Sequence, residues 1–335
     1  MKWTKLTLNT TTQALDYLGA IAMDLGLEGF EIEDNVPLSE EDRKKMFIDI
    51  LPQLPEDDGS ARVSFYVSED TDTQKLLEDI KRETMDYAEF CDFGAMTYAV
   101  DTTDDKDYIN NWKQYFKSFR VGDRLVIKPT WEEAAPDTKE GDVVIEIDPG
   151  TAFGTGSHET TKLCLLAMNK YLKEGETFLD IGCGSGILSI ASILFGARDA
   201  VGIDVDDNAT RISVENATVN RIKASYSPGL DGLDLTDRAK GNILFATGNL
   251  LESAELPTAL QGQTFDFTAA NILADIIIPL VPYARKLTKK GGIFTCSGIL
   301  TTKEESVVKA LEGGDFEVIE TERMGEWSGI TARAV

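Results

Sequence analysis

A glycine-rich turn between an apolar strand and an apolar helix most constrains how this chain folds. Residues 182–186 read Gly-Cys-Gly-Ser-Gly, the largely apolar run Thr177–Ile181 precedes them, and the helix-like run 187–195 follows. A short run of this kind is typical of a strand buried on both faces of a parallel sheet. Because glycine lets the backbone approach a ligand closely, the turn predicts a ligand site at the carboxyl end of this strand.

The residues around the turn narrow the class of ligand. Asp204 ends the next predicted strand, 22 residues after the first glycine, where a carboxylate can accept hydrogen bonds from ribose hydroxyls. A dinucleotide fingerprint would need glycine in place of Ile187, and the Gly-Lys-Ser/Thr of a triphosphate loop is absent. With no lysine in the turn and Asp180 before it, the pattern favours a phosphate-free nucleoside cofactor carrying a positive amine, which S-adenosylmethionine fits. A turn with only a structural role would not explain an acid at this offset.

From residue 142 onward, predicted strands alternate with predicted helices. Seven strand-like runs are present from the glycine turn to the C-terminus: 177–181, 200–203, 242–246, 265–269, 293–297, 316–319 and 327–334. This layout resembles the class I methyltransferase fold, a Rossmann-like seven-stranded α/β domain, which we assign to residues 106–335. In such a sheet the glycine turn, Asp204 and Asn271 all fall at the carboxyl ends of strands, where ligands bind.

The first third of the chain has a different pattern. Four runs alternate as half-buried strands do: 3–8, 30–32, 61–67 and 95–100. Apolar residues at helical spacing lie between them, which predicts the order β-α-β-β-α-β of a small α+β ferredoxin-like domain at residues 1–105. The polar stretch Asp101–Asp105 predicts a short linker at its end, and the charged stretch 38–59 indicates an insertion. No catalytic constellation is evident here, so binding is the predicted role and structural support is the alternative.

Acidic charge is concentrated in this first segment. The chain has 58 acidic and 33 basic residues, and residues 1–105 hold 25 acidic and 9 basic residues, a net charge of −16. Direct nucleic-acid binding is not expected, because phosphate contacts need clustered lysine and arginine. Such a segment suits a basic partner, although acidity can also serve solubility alone.

Several other classes of protein are excluded by composition. The four cysteines stand far apart with no Cys-x-x-Cys pair, and His158 is the only histidine, so the sequence predicts neither a disulfide framework nor a metal site. No apolar run approaches the roughly 20 residues of a membrane helix, and the N-terminus lacks the apolar stretch of a signal peptide. We therefore expect a cytoplasmic monomer with no bound metal and no membrane contact.

A second glycine-containing segment precedes the large predicted sheet. Residues 148–161 read Asp-Pro-Gly-Thr-Ala-Phe-Gly-Thr-Gly-Ser-His-Glu-Thr-Thr. Three glycines within seven residues predict a shaped loop that folds over the cofactor as a lid, with Phe153 and Thr155 among the cofactor contacts. Ser157 is in position to cap a helix that begins near His158.

Together these segments resemble the ribosomal protein L11 methyltransferase family. The matching segments are 148–161, 179–187, 202–204, 270–274, 297–300 and 326–327. The resemblance implies methylation, with S-adenosylmethionine, of lysine side chains and the N-terminal amine of a basic large-subunit ribosomal protein, L11, which the N-terminal domain would recognise. With the glycines of the turn included, the predicted cofactor-binding residues beside the lid are Thr161, Gly182, Gly184, Gly186, Asp204 and Asn271.

Methyl transfer to an amine needs little acid–base machinery, so the catalytic candidates are few. Asn271 is predicted to orient the amine or the cofactor, and a hydrogen bond that only shapes the end of its strand is the alternative. His158 could act as a base, but a histidine in a capped loop is more often a structural hydrogen-bonding group. Cys183 is predicted to be a small side chain that fits the turn, since nothing in the sequence increases its nucleophilicity.

Other functions stay open on the sequence alone. A methyltransferase acting on RNA or DNA bases would carry an Asn/Asp-Pro-Pro-aromatic motif, whereas residues 271–274 read Asn-Ile-Leu-Ala. Another protein substrate is a further alternative, and a non-catalytic module would bind S-adenosylmethionine without transferring a methyl group. The stretches 38–59 and 223–241 depart from the family's pattern, and we expect them to affect surface loops.

Overall fold

The first third of the chain and the remainder each have a hydrophobic core of their own. The computed structural model describes residues 2–27, 30–37, 55–68, 71–104, 117–133, 138–148, 158–231, 233, 235, 239–253 and 255–335. The chain divides into two compact units, Met1–Tyr115 and Phe116–Val335, and each has a core of its own. The domain boundary predicted after residue 105 falls within 105–116, which lies outside the described residues. No helix in the described ranges is both long and apolar enough to cross a membrane.

In the described residues, the first unit is a four-stranded antiparallel sheet with two helices. Its elements are β1 (Lys2–Thr11), α1 (Leu15–Asp24), β2 (Phe30–Asp34), β3 (Ser60–Ser68), α2 (Thr73–Asp86) and β4 (Tyr98–Asp104). The strands lie in the order β2-β3-β1-β4, and the described residues follow the predicted β-α-β-β-α-β pattern. Alternate residues of β1 and β3 pack against both helices, and their shared core contains Leu6, Leu8, Leu18, Val63, Phe65, Leu77 and Ile80.

The polar stretch that follows is a strand and not a linker. The linker predicted over Asp101–Asp105 is wrong for its first four residues, because β4 continues to Asp104 and pairs with the start of β1. Strand pairing uses backbone groups, which polar residues provide as well as apolar ones, so missing apolar periodicity did not exclude a strand. Residue 105, and residues 38–54 of the predicted insertion, lie outside the described residues.

The second unit begins with a small three-stranded sheet. Its strands are β5 (Phe119–Val121), β6 (Leu125–Pro129) and β7 (Val143–Ile147), in that order. Arg120 Nη2 lies 2.7 Å from Asp142 Oδ2, and this hydrogen bond lowers the pKa of Asp142 to about 2. The sheet leads the chain to Asp148, where the segment predicted as a lid begins.

The rest of the second unit is a large α/β sheet. Its strands are β8 (Thr177–Ile181), β9 (Asp199–Asp204), β10 (Lys223–Ser227), β11 (Asn242–Thr247), β12 (Phe265–Asn271), β13 (Thr288–Leu300), β14 (Phe316–Met324) and β15 (Trp327–Ala334). The helices are α3 (Glu159–Tyr171), α4 (Ile187–Leu194), α5 (Asp207–Val219), α6 (Ala274–Leu287) and α7 (Glu304–Gly313). The strand order is β10-β11-β9-β8-β12-β13-β15-β14; β15 runs antiparallel to both its neighbours, and the other pairings are parallel.

This sheet has one strand more than the seven predicted. The additional strand, β10, forms the start of the stretch 223–241, which the sequence marked only as a departure from the family's pattern. It pairs with β11 at the edge of the sheet. Its sequence, Lys-Ala-Ser-Tyr-Ser, contains few apolar residues, so the periodicity that identifies buried strands did not reveal it.

The strand order creates a switch point between β8 and β12. From β8 the chain continues to β9 on one side, whereas β12 pairs with the opposite side of β8. Ligands of such sheets bind in the crevice at the carboxyl ends of these strands. All five residues of β8 are buried, and Phe178 stacks on Phe267 of β12 with ring centroids 5.6 Å apart. The two strands that flank the crevice are therefore firmly packed together.

Candidate active site

The glycine turn after β8 has a backbone conformation that glycine adopts readily and other residues do not. Gly182, Gly184 and Gly186 have φ angles of 77°, 53° and 80°. A Cβ on Gly182 would lie 2.5 Å from Ile272 Cγ2, and one on Gly186 would lie 2.9 Å from Ser213 Cβ. The turn is therefore packed between the end of β12 and α5, with no room for side chains at these two positions.

Asp204 links the glycine turn to the segment that follows β9. Its Oδ2 accepts a hydrogen bond from the Gly184 amide at 2.8 Å, and its Oδ1 accepts one from the Asp206 amide at 3.0 Å. The Gly182 amide donates to the Ile203 carbonyl at 2.8 Å, which holds the turn against the end of β9. The carboxylate of Asp204 is partly exposed and keeps further acceptor capacity on both oxygens.

Two asparagines that sequence reasoning missed, Asn216 of α5 and Asn220 directly after this helix, bond to the glycine turn and to the end of β7 respectively. Asn216 donates from Nδ2 to the Ser185 carbonyl at 2.9 Å and accepts at Oδ1 from the Asp148 amide at 2.9 Å. Asn220, one turn later, accepts from the Glu146 amide at 2.9 Å and donates to the Glu146 carbonyl at 2.6 Å. Asn216 thus joins the glycine turn to the start of the predicted lid. In the sequence, these two residues could be noticed only as asparagines four residues apart, and that spacing does not show which backbone groups they bond to.

Asp180 is enclosed between β8 and α4. Its side chain is fully buried, and Oδ2 accepts from the Ser189 amide at 3.1 Å and from Ser189 Oγ at 2.8 Å. Oδ1 has no hydrogen-bond partner among the described residues. Burial raises the pKa of Asp180 to about 7. The carboxyl that the sequence suggested for a positive amine is therefore not exposed to a ligand, and it anchors the first turn of α4 instead.

At the end of β12, Asn271 contacts another predicted site residue. Its Nδ2 donates to Oγ1 of Thr161, in the first turn of α3, at 3.1 Å across a separation of 110 residues. Asn271 Oδ1 is buried and has no hydrogen-bond partner in the part of the chain that the structure describes. A buried polar atom left unpaired costs about 1–3 kcal/mol, so this oxygen beside the crevice suits a donor from a ligand.

His158 caps α3, the helix that carries Thr161. Its Nδ1 accepts from the Thr160 amide at 3.4 Å and lies 2.9 Å from Thr160 Oγ1, and its ring meets Trp327 edge-on with centroids 5.1 Å apart. The prediction that Ser157 caps this helix is wrong, because α3 begins at Glu159 and the preceding residue takes the capping position. These contacts favour a structural role for His158 over a role as base.

Most of the predicted lid lies outside the described residues. Ser157, Phe153 and Thr155 lie within 149–157, outside the described residues, so the two predicted cofactor contacts of the lid stay predictions.

A polar cluster beside Asp204 was also missed by sequence reasoning. Tyr226 of β10 donates its hydroxyl hydrogen to Oδ1 of Asp207, and Thr247 Oγ1 donates to the same oxygen at 3.1 Å. Arg211 Nε donates to Oδ2 at 2.7 Å. These hydrogen bonds, with that of Tyr226 the largest cause, lower the pKa of Asp207. Thr247 lies opposite Asp204 in the register of β11 and β9. Thr247 and Tyr226 of the extra strand β10 therefore hold Asp207, at the start of α5, close to Asp204.

Among the described residues, neither metal ligation nor a cysteine nucleophile is indicated at this site. Across the described ranges, no three His, Cys, Asp or Glu residues are grouped as metal ligands would be. The Cys183 thiol in the glycine turn is buried, and burial raises its pKa well above the usual range. A thiol in this state is a poor nucleophile, in line with the prediction for Cys183.

Comparison with known proteins places the chain in a family. A family model described as ribosomal protein L11 methyltransferase (PrmA) matches residues 2–334. The chain is 46% identical over 333 residues to the ribosomal protein L11 methyltransferase of Lachnoclostridium phytofermentans and 44% identical over 336 residues to that of Lachnospira eligens, with 99% of each chain covered in both comparisons. A crystal structure of ribosomal protein L11 methylase from Lactobacillus delbrueckii subsp. bulgaricus is similar at a TM-score of 0.54 and 28% identity, over 66% of this chain and 100% of that chain. The chain therefore belongs to the ribosomal protein L11 methyltransferase family.

Proposed function

We propose that this protein transfers methyl groups from S-adenosylmethionine to ribosomal protein L11, at lysine side chains and the N-terminal amine. The observation that carries the proposal is the meeting of the glycine turn, Asp204 and Asn271 at one edge of the sheet, in a chain of this family. Gly182 packs on Ile272, the neighbour of Asn271, so the turn and the end of β12 are two walls of one crevice.

The residues of this crevice fit S-adenosylmethionine. The glycine turn allows close backbone approach and contains no lysine, as suits a nucleoside without phosphates. Asp204 has acceptor capacity for ribose hydroxyls, and Asn271 Oδ1 has an unused acceptor for an amine. When bound, S-adenosylmethionine supplies a methyl group on a positively charged sulfur; a neutral amine would attack the methyl carbon in line, and the sulfur would leave as a neutral thioether.

The residues of this chain contribute mainly by positioning. A transfer from a sulfonium to a neutral amine moves one positive charge and creates no new ion, so orientation and exclusion of water supply most of the acceleration. Thr161 accepts from Asn271 Nδ2 and thereby fixes the amide so that Oδ1 remains the free acceptor. An amine hydrogen bonded to Oδ1 would have its lone pair oriented by Asn271.

The target amine must also lose a proton before it can attack. A lysine with a pKa of about 10.4 is almost entirely protonated near neutral pH. His158 Nδ1 is already engaged with Thr160, so we assign no base to the chain and expect the reaction to accelerate as the pH rises.

We further propose a division of labour along the chain. Residues 106–335 would carry out methyl transfer and residues 1–105 would recognise the protein substrate. The net charge of −16 in residues 1–105 supports recognition of a basic ribosomal protein. We place the reaction in the cytoplasm, where ribosomal proteins are made, with the enzyme acting as a monomer that does not bind nucleic acid directly.

The intact mass of unmethylated ribosomal protein L11 tests this proposal. After incubation with the enzyme and S-adenosylmethionine, we expect mass increases of whole methyl groups. The Asp204→Ala variant should lose them, while the exposed-acid control Asp231→Ala should keep them. Cofactor binding without any mass change would reject L11 as the substrate, and labelled methyl transfer into ribosomal RNA but not into L11 would reject protein methylation.

A further inference from the structure

The end of α2 in the first unit borders an open groove that neither the fold nor the crevice explains. The groove has a volume of about 660 Å³. We call it the α2-end groove, and it is lined by Lys81, Thr84, Met85, Ala88, Glu89, Phe90, Cys91, Asp92, Phe93, Gly94 and Met96. A space of this size can hold several side chains of a partner.

Large apolar side chains stand exposed in this groove. Met85 is 73% exposed and Phe90 is 75% exposed, although Phe93 and Cys91 next to them are buried. Single exposed apolar residues are common, but two large ones in one concave surface indicate a binding surface. Cys91 and Phe93, which line the same groove, belong to the unit's own core, so the apolar surface of the groove begins inside the unit.

The floor of the groove is held in place by the sheet and α1. Thr10 Oγ1 donates to the Phe93 carbonyl at 3.1 Å, and Thr11 Oγ1 donates to the Asp92 carbonyl at 2.6 Å. The ring of Tyr17 on α1 contacts both Tyr87 and Phe93, with centroids 5.3 Å and 6.2 Å apart. The apolar residues are thus presented on a fixed surface, which lowers the entropic cost of binding.

Charge around the groove selects the kind of partner. Two acids, Glu89 and Asp92, line the groove, and Asp86 lies close to them in the sequence, whereas the nearby Glu83 is paired with Arg82. Lys81, the base that lines the groove, lies over the ring of Tyr98 at 5.2 Å. A second copy of this chain or an anionic lipid surface would meet repulsion here, whereas a basic polypeptide would meet complementary charge.

We propose that the α2-end groove docks a basic segment of the substrate protein, with one of its apolar side chains inserted between Met85 and Phe90. This inference rests on the proposed function and adds to it the surface by which the first unit holds its substrate. Glu89 and Asp92 would steer the encounter, and the apolar side chains would slow dissociation.

The test is a steady-state comparison of variants with ribosomal protein L11 as the methyl acceptor. In the double variant Met85→Ser/Phe90→Ser we expect KM for the protein to rise roughly tenfold or more, because apolar anchors carry most of the energy of an interface. The kcat at saturating protein and the affinity for S-adenosylmethionine should stay unchanged, since none of the residues that line the groove is a residue of the crevice.

Two further variants control for surface apolarity and for charge. Met23 on α1 is 78% exposed but does not line the groove, so Met23→Ser should leave KM at the wild-type value. Glu89→Lys should raise KM several-fold at low salt, with a smaller effect at high salt, because exposed charges are screened. Far-ultraviolet circular dichroism and thermal melting of each variant establish that it is folded.

The outcomes separate this inference from the proposed function. If wild-type enzyme does not methylate L11, the proposed function fails, and calorimetric binding of L11 to wild type and to the double variant still tests the groove. A double variant with the KM and the L11 affinity of Met23→Ser would overturn the inference. A change of oligomeric state in the double variant, with KM unchanged, would assign the groove to self-association and would also overturn it.

Discussion

The glycine turn and the end of β12 lie on opposite sides of one crevice but are built in different ways. In the turn, contacts with β9 and α5 fix the backbone: the amides of Gly182 and Gly184 donate to Ile203 and Asp204, and the Ser185 carbonyl accepts from Asn216. At β12, Asn271 has one bonded atom and one buried acceptor without a partner in the described chain. The turn therefore provides shape, and β12 provides an unsatisfied chemical group. Substitutions in the turn should therefore lower the affinity for the cofactor, and substitutions at the end of β12 should lower kcat/KM.

The largest effect should come from a side chain on the turn. In Gly182→Ala the Cβ would meet Ile272 at 2.5 Å in addition to the cost of a positive φ, and we expect the affinity for S-adenosylmethionine to fall at least about 100-fold. Gly175→Ala is the matched control, because Gly175 has a φ of 82° and nothing within 4 Å of its Cβ position. Calorimetric titration should show near-normal cofactor binding in that control. Equal affinities in the two variants would contradict the role of close approach.

A substitution at the end of β12 should lower the rate of methyl transfer. We expect Asn271→Ala to lower kcat/KM about 100-fold, as loss of a positioned polar group does in other enzymes. Thr161→Ser keeps the hydroxyl that accepts from Asn271 and should stay within a few-fold of wild type. Methyl incorporation and cofactor affinity are measured together. A rise in the cofactor Kd at unchanged kcat would place Asn271 on the cofactor, and full activity of Asn271→Ala would remove it from the site.

A smaller effect is expected from the support behind the turn. Both Asn216→Ala and Asn220→Ala remove hydrogen bonds to backbone groups, so each should lower the free energy of unfolding by about 1–3 kcal/mol. Asn216 bonds to the glycine turn, whereas among the described residues the Asn220 side chain bonds only to the end of β7 and to its own helix. We therefore expect the cofactor Kd to rise about tenfold in Asn216→Ala alone. If the two variants bind the cofactor equally, Asn216 stabilises the fold without positioning the turn.

The last expected effect concerns the dependence of stability on pH and leaves turnover aside. Asp180 has a pKa of about 7 when folded against 3.8 as the reference value. As the pH rises between these two values, the unfolded chain loses the proton first, so this group's contribution to stability falls. Asp180→Asn cannot ionise and should gain stability relative to wild type as the pH rises from about 4 to 8.

Asp142 provides the opposite control. Its folded pKa is lowered to about 2 by Arg120, so its contribution is present above the unfolded pKa and is lost as the pH falls towards 2. Asp142→Asn should therefore change the acid limb of the stability profile and leave the limb above neutrality unchanged. Denaturant unfolding over the pH range measures both variants. A flat difference between Asp180→Asn and wild type would contradict the raised pKa.

Much of the fold and part of the site could be predicted from local pattern. The glycine turn and Asp204 belong to one strand-turn-helix-strand unit, in which each element has its own apolar periodicity. Asn271 was identified as the residue that ends a buried strand, and its partner Thr161 came from the family resemblance. The structure joins these two residues with a hydrogen bond.

The two missed strands share a physical cause, and the missed helix cap has another. The strand at Asp101–Asp104 and the strand β10 lie at sheet edges, where backbone pairing does not require the apolar alternation that identifies buried strands. His158 caps α3 because that helix begins one residue later than the sequence suggested, and helix ends are poorly defined by periodicity.

By itself, the sequence determined the class of fold, the position of the ligand turn and the acid beside it, because these depend on residues close together in the chain. Only the tertiary structure decided which side chains support that turn, since Asn216 reaches Ser185 and Asp148 across separations of 31 and 68 residues. It also decided which side chains are enclosed and which lie at the edge of the crevice. Asp180 is fully buried whereas Asn271 is only partly buried, because burial depends on what the rest of the fold places around each side chain.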